Sequence, residues 1–245
     1  MLFESVTIVI SATDESISLI KTVDTVMQTC SPSDIDSFLI VIPEAAGAEC
    51  LEAIDLLKER YPEKVRKLIQ KRPFIGGAMR DSIDSTLSSH IMFFSADIPV
   101  ELGCIPVMIE KAKQAPDTII KISRWLEKNS FHGYRKGRKL FNHMAQKFIG
   151  FLFASRLTDF TAPILISPTA VYKSIIFREL NFPCLLESVI IPVRAGCRFE
   201  EIPAKTSPRS EGKSKNSALQ TMLYFRTALR VRLTPLKKLY KVYFS

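Results

Sequence analysis

Histidine, cysteine and glycine are all scarce in this chain of 245 residues. Its three histidines, His90, His132 and His143, show no metal-ligand spacing, and no Ser/His/Asp set is evident. Five cysteines (Cys30, Cys50, Cys104, Cys184, Cys197) are odd in number and scattered, with no Cys-x-x-Cys pair. That pattern argues against a disulfide framework or zinc knuckle and for a reduced, cytoplasmic chain. Nine glycines form no Gly-x-Gly-x-x-Gly fingerprint and no P-loop. The longest apolar run, Phe148 to Ala154, is far short of the ~20 residues of a spanning helix. Glu4 and the lack of a basic region before an apolar stretch predict no secretory leader.

What is present is the balance of a globular protein: 47% apolar and 24% charged residues, which excludes disordered and fibrous classes. The net charge of +9 is uneven. Residues 205–245 hold ten Lys and Arg against one acid, Glu211, so that segment alone is +9 and residues 1–204 balance to zero. The organisation expected is a domain over 1–204, then a basic loop and helix over 205–245. Such a tail suits an anionic partner.

Val6 to Ile10 is β-branched without polar alternation, as a strand buried on both faces would be. Ile17, Leu19, Ile20, Val23, Val26 and Met27 then recur at helical spacing. Further strands are expected at 38–42, 65–70, 91–94, 119–123 and 198–203. Helices are expected at 49–61, from Gly76, at 140–154, 184–194 and 218–233. The order predicts a doubly wound, mainly parallel sheet, whose ligands gather at the carboxyl ends of the strands. Leu140, Met144, Phe148 and Phe151 are expected to face the core. The 218–233 helix sets Arg226 and Arg230 four residues apart, with Leu219, Met222, Leu223, Leu229 and Leu233 able to share an apolar stripe.

Several clusters have chemistry-bearing types. Asp97 ends an apolar strand, where a carboxylate can hold Mg²⁺ or Mn²⁺ on a diphosphate or can simply cap the next helix. Gly76-Gly77 before a helix can bring backbone N–H groups to a phosphate or can make a tight turn. Arg209, Lys213 and Lys215 surround Gly212 in a loop that can close over a diphosphate or remain a solvated linker.

Taken in order, these segments resemble the family 2 glycosyltransferases of GT-A fold, on the dolichyl-phosphate mannose synthase side. The likeness rests on "IVISATDES" (8–16), "RPFIGGAMR" (72–80), "FFSAD" (93–97), Ser123-Arg124-Trp125, "LTDFT" (157–161), Leu185-Leu186-Glu187, "GCRFEEIP" (196–203) and the 209–215 loop. Departures are equally concrete: Ser95 stands at the first Asp of Asp-x-Asp, Glu44 stands near a missing Asp-Asp pair, Ser11 and Thr13 replace Pro and Tyr, and Pro163-Ile164-Leu165 replaces Gly-Phe-Arg.

The resemblance implies a Rossmann-like α/β fold, a mixed, mainly parallel sheet flanked by helices, with a basic amphipathic C-terminal helix. It implies an enzyme moving a sugar from a nucleotide-sugar donor to a polyprenyl phosphate or glycan. Ser11, Asp14, Glu15, Glu44, Gly76, Gly77, Arg80 and Asp97 would meet the donor, with Asp97 on Mg²⁺ or Mn²⁺. Arg124, Arg209 and Lys215 would meet donor or acceptor phosphates, and Asp159 and Glu187 would be the candidate bases. Peripheral contact with the inner membrane face through 218–241 is expected, and nucleic acid is not the expected partner. The alternative is a diverged, non-catalytic module of the same fold that binds membrane or other anionic partners. A sugar nucleotidyltransferase is disfavoured, because Ser11 to Ser16 contains no glycine.

Overall fold

The computed structural model describes residues 2–96, 101–127, 130, 136–205 and 218–241. The expected alternation is present: β1 (Val6–Ser11), α1 (Ile17–Thr29), β2 (Ile35–Ile42), α2 (Ala48–Arg60), β3 (Val65–Ile69), α3 (Phe74–Ser85) and β4 (His90–Ser95). After these come α4 (Cys104–Gln114), β5 (Thr118–Ser123), α5 (Lys136–Leu152), β6 (Leu165–Pro168) and α6 (Thr169–Ser174). Next are α7 (Cys184–Arg194), β7 (Arg198–Pro203) and α8 (Ala218–Leu233), followed by a short 3₁₀ turn at Leu236–Lys238.

Seven strands form one sheet in the order β3-β2-β1-β4-β6-β5-β7. All neighbours are parallel except β6, which runs antiparallel to both β4 and β5. The period-2 alternation of a strand divides the core between the two faces. Ile8, Ile10, Phe38, Ile40, Met92 and Phe94 face α1, α2 and α4. Val9, Leu39, Val41, Ile91 and Phe93 face α3, α6 and α7. Both faces being covered explains why β1 and β2 read as unbroken apolar runs.

β1 and β4 are neighbours although five elements separate them in sequence, so the chain reverses its direction of winding between them. This switch point opens a crevice at the carboxyl ends of the two strands. Ser11 is paired with Ser95 there, and the Ala96 N–H donates to the Ser11 carbonyl at 3.1 Å.

The start of α3 is fixed by close backbone contact. The Gly76 N–H donates to the Leu180 carbonyl at 2.7 Å. A Cβ on Gly76 would fall on the Glu179 carbonyl oxygen and within 2.8 Å of Leu180 Cα. One on Gly77 would fall on the Arg72 carbonyl oxygen. Phe74 just before them takes φ 63, a left-handed backbone that costs a bulky residue about 1–2 kcal/mol. Gly76→Ala is therefore expected to destabilise the protein by about 1–3 kcal/mol through overpacking. Gly103→Ala, with nothing within 4 Å of the added Cβ, is expected to be near neutral. Urea midpoints of the two variants check the contrast.

Candidate functional site

The carboxyl edge of the sheet gathers two groups of polar residues. The first lies on the loops after β1 and β2. The Gly47 N–H donates to the Thr13 carbonyl at 2.9 Å, and the Ala12 N–H to the Val41 carbonyl at 3.0 Å, so the loops are tied together. A Cβ on Gly47 would stand 3.0 Å from Asp14 Oδ1, so glycine there lets the loops close. The Glu15 carboxylate accepts the Thr13 and Asp14 N–H groups at 2.7 and 3.2 Å. Asp14 and Glu44 are exposed, while Ser11 and Glu15 are half-buried. Beneath them Cys50 is buried, and burial, with the charges of Glu15 and Asp14 adding to it, pushes its thiol up to about 11. These four candidates thus share one edge beside the switch point.

The second group lies at the ends of β5, β6 and β7. Asp159 is fully buried and receives Arg124 Nε at 2.7 Å, Arg124 Nη2 at 2.9 Å and the Arg124 N–H at 3.2 Å. The Thr161 N–H adds a bond at 3.1 Å. Burial by itself would raise this carboxyl. The Arg124 charge and hydrogen bonds, helped by Lys121, overcome it and hold Asp159 well below the usual carboxylate range. Lys121, also fully buried, donates to the Asp159 and Ile122 carbonyls, and burial lowers its proton affinity against the pull of Asp159 and Glu201. Glu201 accepts the Thr158 N–H and hydroxyl and the Asp159 N–H at 2.7, 2.9 and 2.9 Å. Gln146 of α5 closes the set, bonding the Phe160 N–H at 2.7 Å and the Thr161 hydroxyl at 3.0 Å.

The structure gives several of the expected site residues other contacts. Asp159, expected as a base, is fully buried and both its oxygens are engaged by Arg124. Arg124, expected to meet a phosphate, places its Nε and Nη2 on that carboxylate and so anchors the 158–161 turn. Glu187 is likewise fully buried. It accepts the Arg178 and Glu179 N–H groups at 3.0 and 2.9 Å and Arg230 Nη2 at 2.6 Å, which docks α8 on α7. Arg230 also reaches Glu179 at 3.0 Å and is half-buried, whereas Arg226, four residues before it, is exposed. Gly76 has committed its N–H to Leu180, so the glycine pair serves close packing and not a phosphate cradle.

Arg80 is half-buried on α3. Asp97, Arg209 and Lys215 lie outside the described residues. Sequence reading missed Asp81, a buried carboxylate that accepts the Lys71 and Arg72 N–H groups at 2.6 and 3.0 Å and pairs with the Arg72 guanidinium at 2.5 Å. It also missed the structural use of Lys121, Gln146 and Glu201. An ionisable residue within an apolar run, as in Ile119-Ile120-Lys121-Ile122, was the available signal.

Between β1, β4, α3 and α7 lies an apolar cavity of about 40 Å³, lined by Val9, Ala78, Met79, Phe93 and Cys184 among others. It has room for about three waters and is too small for a nucleotide. Among the described residues no three His, Cys, Asp or Glu side chains converge as a metal site.

No family model matches the chain. Solved structures do. Glucosyl-3-phosphoglycerate synthase from Mycobacterium tuberculosis, in complex with Mn²⁺, UDP-glucose and glycerol 3-phosphate, aligns with a TM-score of 0.67 at 13% identity, covering 95% of this chain and 81% of that one. The same enzyme with Mg²⁺ and UDP gives 0.68 at 12% identity, over 95% and 80%. A further mycobacterial protein gives 0.67 at 11% identity, over 95% and 76%. The shared feature at such identities is the fold, a mostly parallel seven-stranded sheet of GT-A type.

Asp159→Asn is expected to cost about 3 kcal/mol, because it leaves the Arg124 guanidinium without its carboxylate and removes a negative charge beside the buried Lys121. The folded carboxyl has the lower proton affinity, so the unfolded chain binds more protons as pH falls below ~4, and stability declines there. Denaturation midpoints measured across acid pH should fall for the wild type and lose much of that slope in the variant.

Proposed function

We propose that the chain is a family 2-like glycosyltransferase that moves a sugar from a nucleotide-sugar donor to a phosphorylated acceptor, a lipid phosphate, by a single inverting displacement. The observation that supports this most is the crevice between β1 and β4, flanked by Ser11, Asp14, Glu15 and Glu44. It belongs to a sheet that aligns over 95% of the chain with structures holding UDP-glucose and Mn²⁺. Ser11, Asp14, Glu15 and Glu44 would receive the base and ribose. Arg80, Arg209 and Lys215 would meet phosphates.

Mg²⁺ or Mn²⁺ fits such a site with few protein ligands, since these ions take one or two carboxylates plus phosphate oxygens; Asp97 is the residue proposed to hold it. When bound, the ion would supply positive charge to the diphosphate. The rest falls to side chains. In the transfer the bond from the anomeric carbon to the diphosphate oxygen breaks, and one from an acceptor oxygen forms. Negative charge grows on the departing nucleoside diphosphate, where Arg and Lys side chains stabilise it. A phosphate acceptor arrives ionised and needs no base. That agrees with the sealing of Asp159 and Glu187 by Arg124 and Arg230. A glycan hydroxyl would instead need a base that neither residue provides. The basic 218–241 segment is proposed to keep the enzyme at the inner membrane face.

Titration calorimetry with UDP or GDP in the presence of Mn²⁺ tests the site. Wild type should bind one of them, and Asp97→Ala should weaken binding at least about tenfold, a loss of about 1.4 kcal/mol, with an unchanged melting temperature before ligand is added. Equal binding by both proteins would reject Asp97. No nucleotide binding and no donor hydrolysis by wild type would reject the transferase reading.

A further inference from the structure

The residues of α5 expected to be core, Leu140, Met144, Phe148 and Phe151, are on the outside, and Phe141 beside them is exposed as well, with Met144 exposed by 63% and Phe151 by 86%. At 3.6 residues per turn these five fall within an arc of about 100°. The opposite face holds Gln146 and Ile149, both buried. α5 is thus fixed to the domain by one face and presents an apolar stripe on the other. α8 continues the stripe. Phe225 packs edge-on against Phe148 with ring centres 5.7 Å apart, and Arg232 Nε donates to the Leu152 carbonyl at 3.0 Å. On α8, Thr227, Ala228 and Val231 are buried, while Met222, Leu229 and Leu233 face out, Leu233 by 80%. Singly exposed apolar residues are ordinary, but eight on two adjoining helices form a patch that marks an interaction surface.

Charge decides between occupants. α5 contains four cations and no acid, and α8 three cations and no acid. Lys147, Arg226 and Arg232 are exposed on these two helices. A second copy placed patch to patch would set these cations against their own kind. An anionic bilayer receives both features, aromatic and aliphatic side chains among the acyl chains and Lys and Arg at the headgroups. We propose that α5 and α8 together form the surface by which this protein lies on an anionic lipid bilayer, with α5 as its main apolar element.

Position gives the surface a purpose. Gln146, on the inner face of α5, bonds the backbone of Phe160 and the hydroxyl of Thr161, so α5 rides on the 158–161 turn at the carboxyl edge of the sheet. The bilayer would meet the molecule at the same end as the candidate site. The inference deepens the lipid-phosphate reading and rests on it for this purpose, but binding to lipid is measured separately from nucleotide binding.

The test is co-sedimentation of the full chain with vesicles of phosphatidylcholine alone and of equal parts phosphatidylcholine and phosphatidylglycerol. Wild type should pellet with the anionic vesicles, and less so as salt is raised. Met144→Ser/Phe151→Ser, at two exposed positions, should partition at least about tenfold more weakly while melting and binding UDP with Mn²⁺ as wild type does. Lys147→Glu/Arg226→Glu should lose the preference for anionic lipid. Wild type remaining in the supernatant, or the serine variant binding as tightly as wild type, would overturn the proposal. So would a dimer in light scattering that the serine variant converts to monomer without any vesicle binding, since the face would then belong to a second copy. Vesicle binding lost with nucleotide binding kept, or the reverse, tells failure of this surface from failure of the transferase reading.

Discussion

A carboxylate with no exposed surface must find a cation or give up its charge, and in this molecule that rule organises half of the sheet. Asp159 sits on the segment that turns the chain back into β6, the one strand antiparallel to its neighbours. Arg124 at the end of β5 neutralises it, while Lys121 on β5 and Glu201 on β7 bind the backbone on either side. Two cations and two anions thus balance inside a nearly dry space, each held by hydrogen bonds as well as by charge. The quartet links β5 and β7 to the turn that leads into β6 and, through Gln146, to helix α5. It holds the 153–164 segment at the carboxyl edge together with the buried side chains of Phe160, Ala162 and Ile164. The same rule applies one layer away, where Arg230 answers Glu187 and Glu179 and so fastens α8 to the domain.

The two loops after β1 and β2 follow a different logic. Nothing there is sealed. They are joined by backbone hydrogen bonds and by a glycine small enough to pass Asp14; Asp14 and Glu44 are exposed, and Glu15 is half-buried on the backbone of its own loop. The carboxyl edge is therefore rigid and internally satisfied on one side of the switch point and open on the other. A ligand can be received by the open side, while the rigid side supports the helix that reaches the exposed patch.

How much of this was legible depended on whether a residue's task was local. β1, β2 and β4 were readable because burial on both faces leaves an unbroken apolar run, and the α1 and α2 periodicities followed from it. β6 was not, since four residues, Leu165–Pro168, beside a proline and running straight into a helix carry no strand signature of their own; their pairing with β4 and β5 comes from the sheet. Gly76-Gly77 was correctly marked as special, but the choice between ligand and packing lay in Glu179 and Leu180, a hundred residues away. Asp159 and Glu187 had the right type for a base, and only their arginine partners show that the charge is already spent. The acidic edge at Ser11, Asp14, Glu15 and Glu44 was legible as a group, because strand ends in a parallel sheet must coincide.

The stripe on α5 shows the deepest limit of sequence periodicity and also what it can reveal. Periodicity states that a helix has an apolar face; it does not state what that face meets. On α5 there are two contacts to account for. Ile149 goes to the core, and the wider stripe of Leu140, Met144, Phe148 and Phe151 does not, because the sheet face beneath is already filled by α3, α6 and α7. The inner face of α5 is fixed by Ile149 in the core and by Gln146, which bonds Phe160 and Thr161. Those two residues belong to the turn that Arg124 and Asp159 hold together, so the buried ion pair and the inner face of α5 meet at one place on the carboxyl edge. With that face committed to the domain, the stripe on the opposite side of the same helix is left outward.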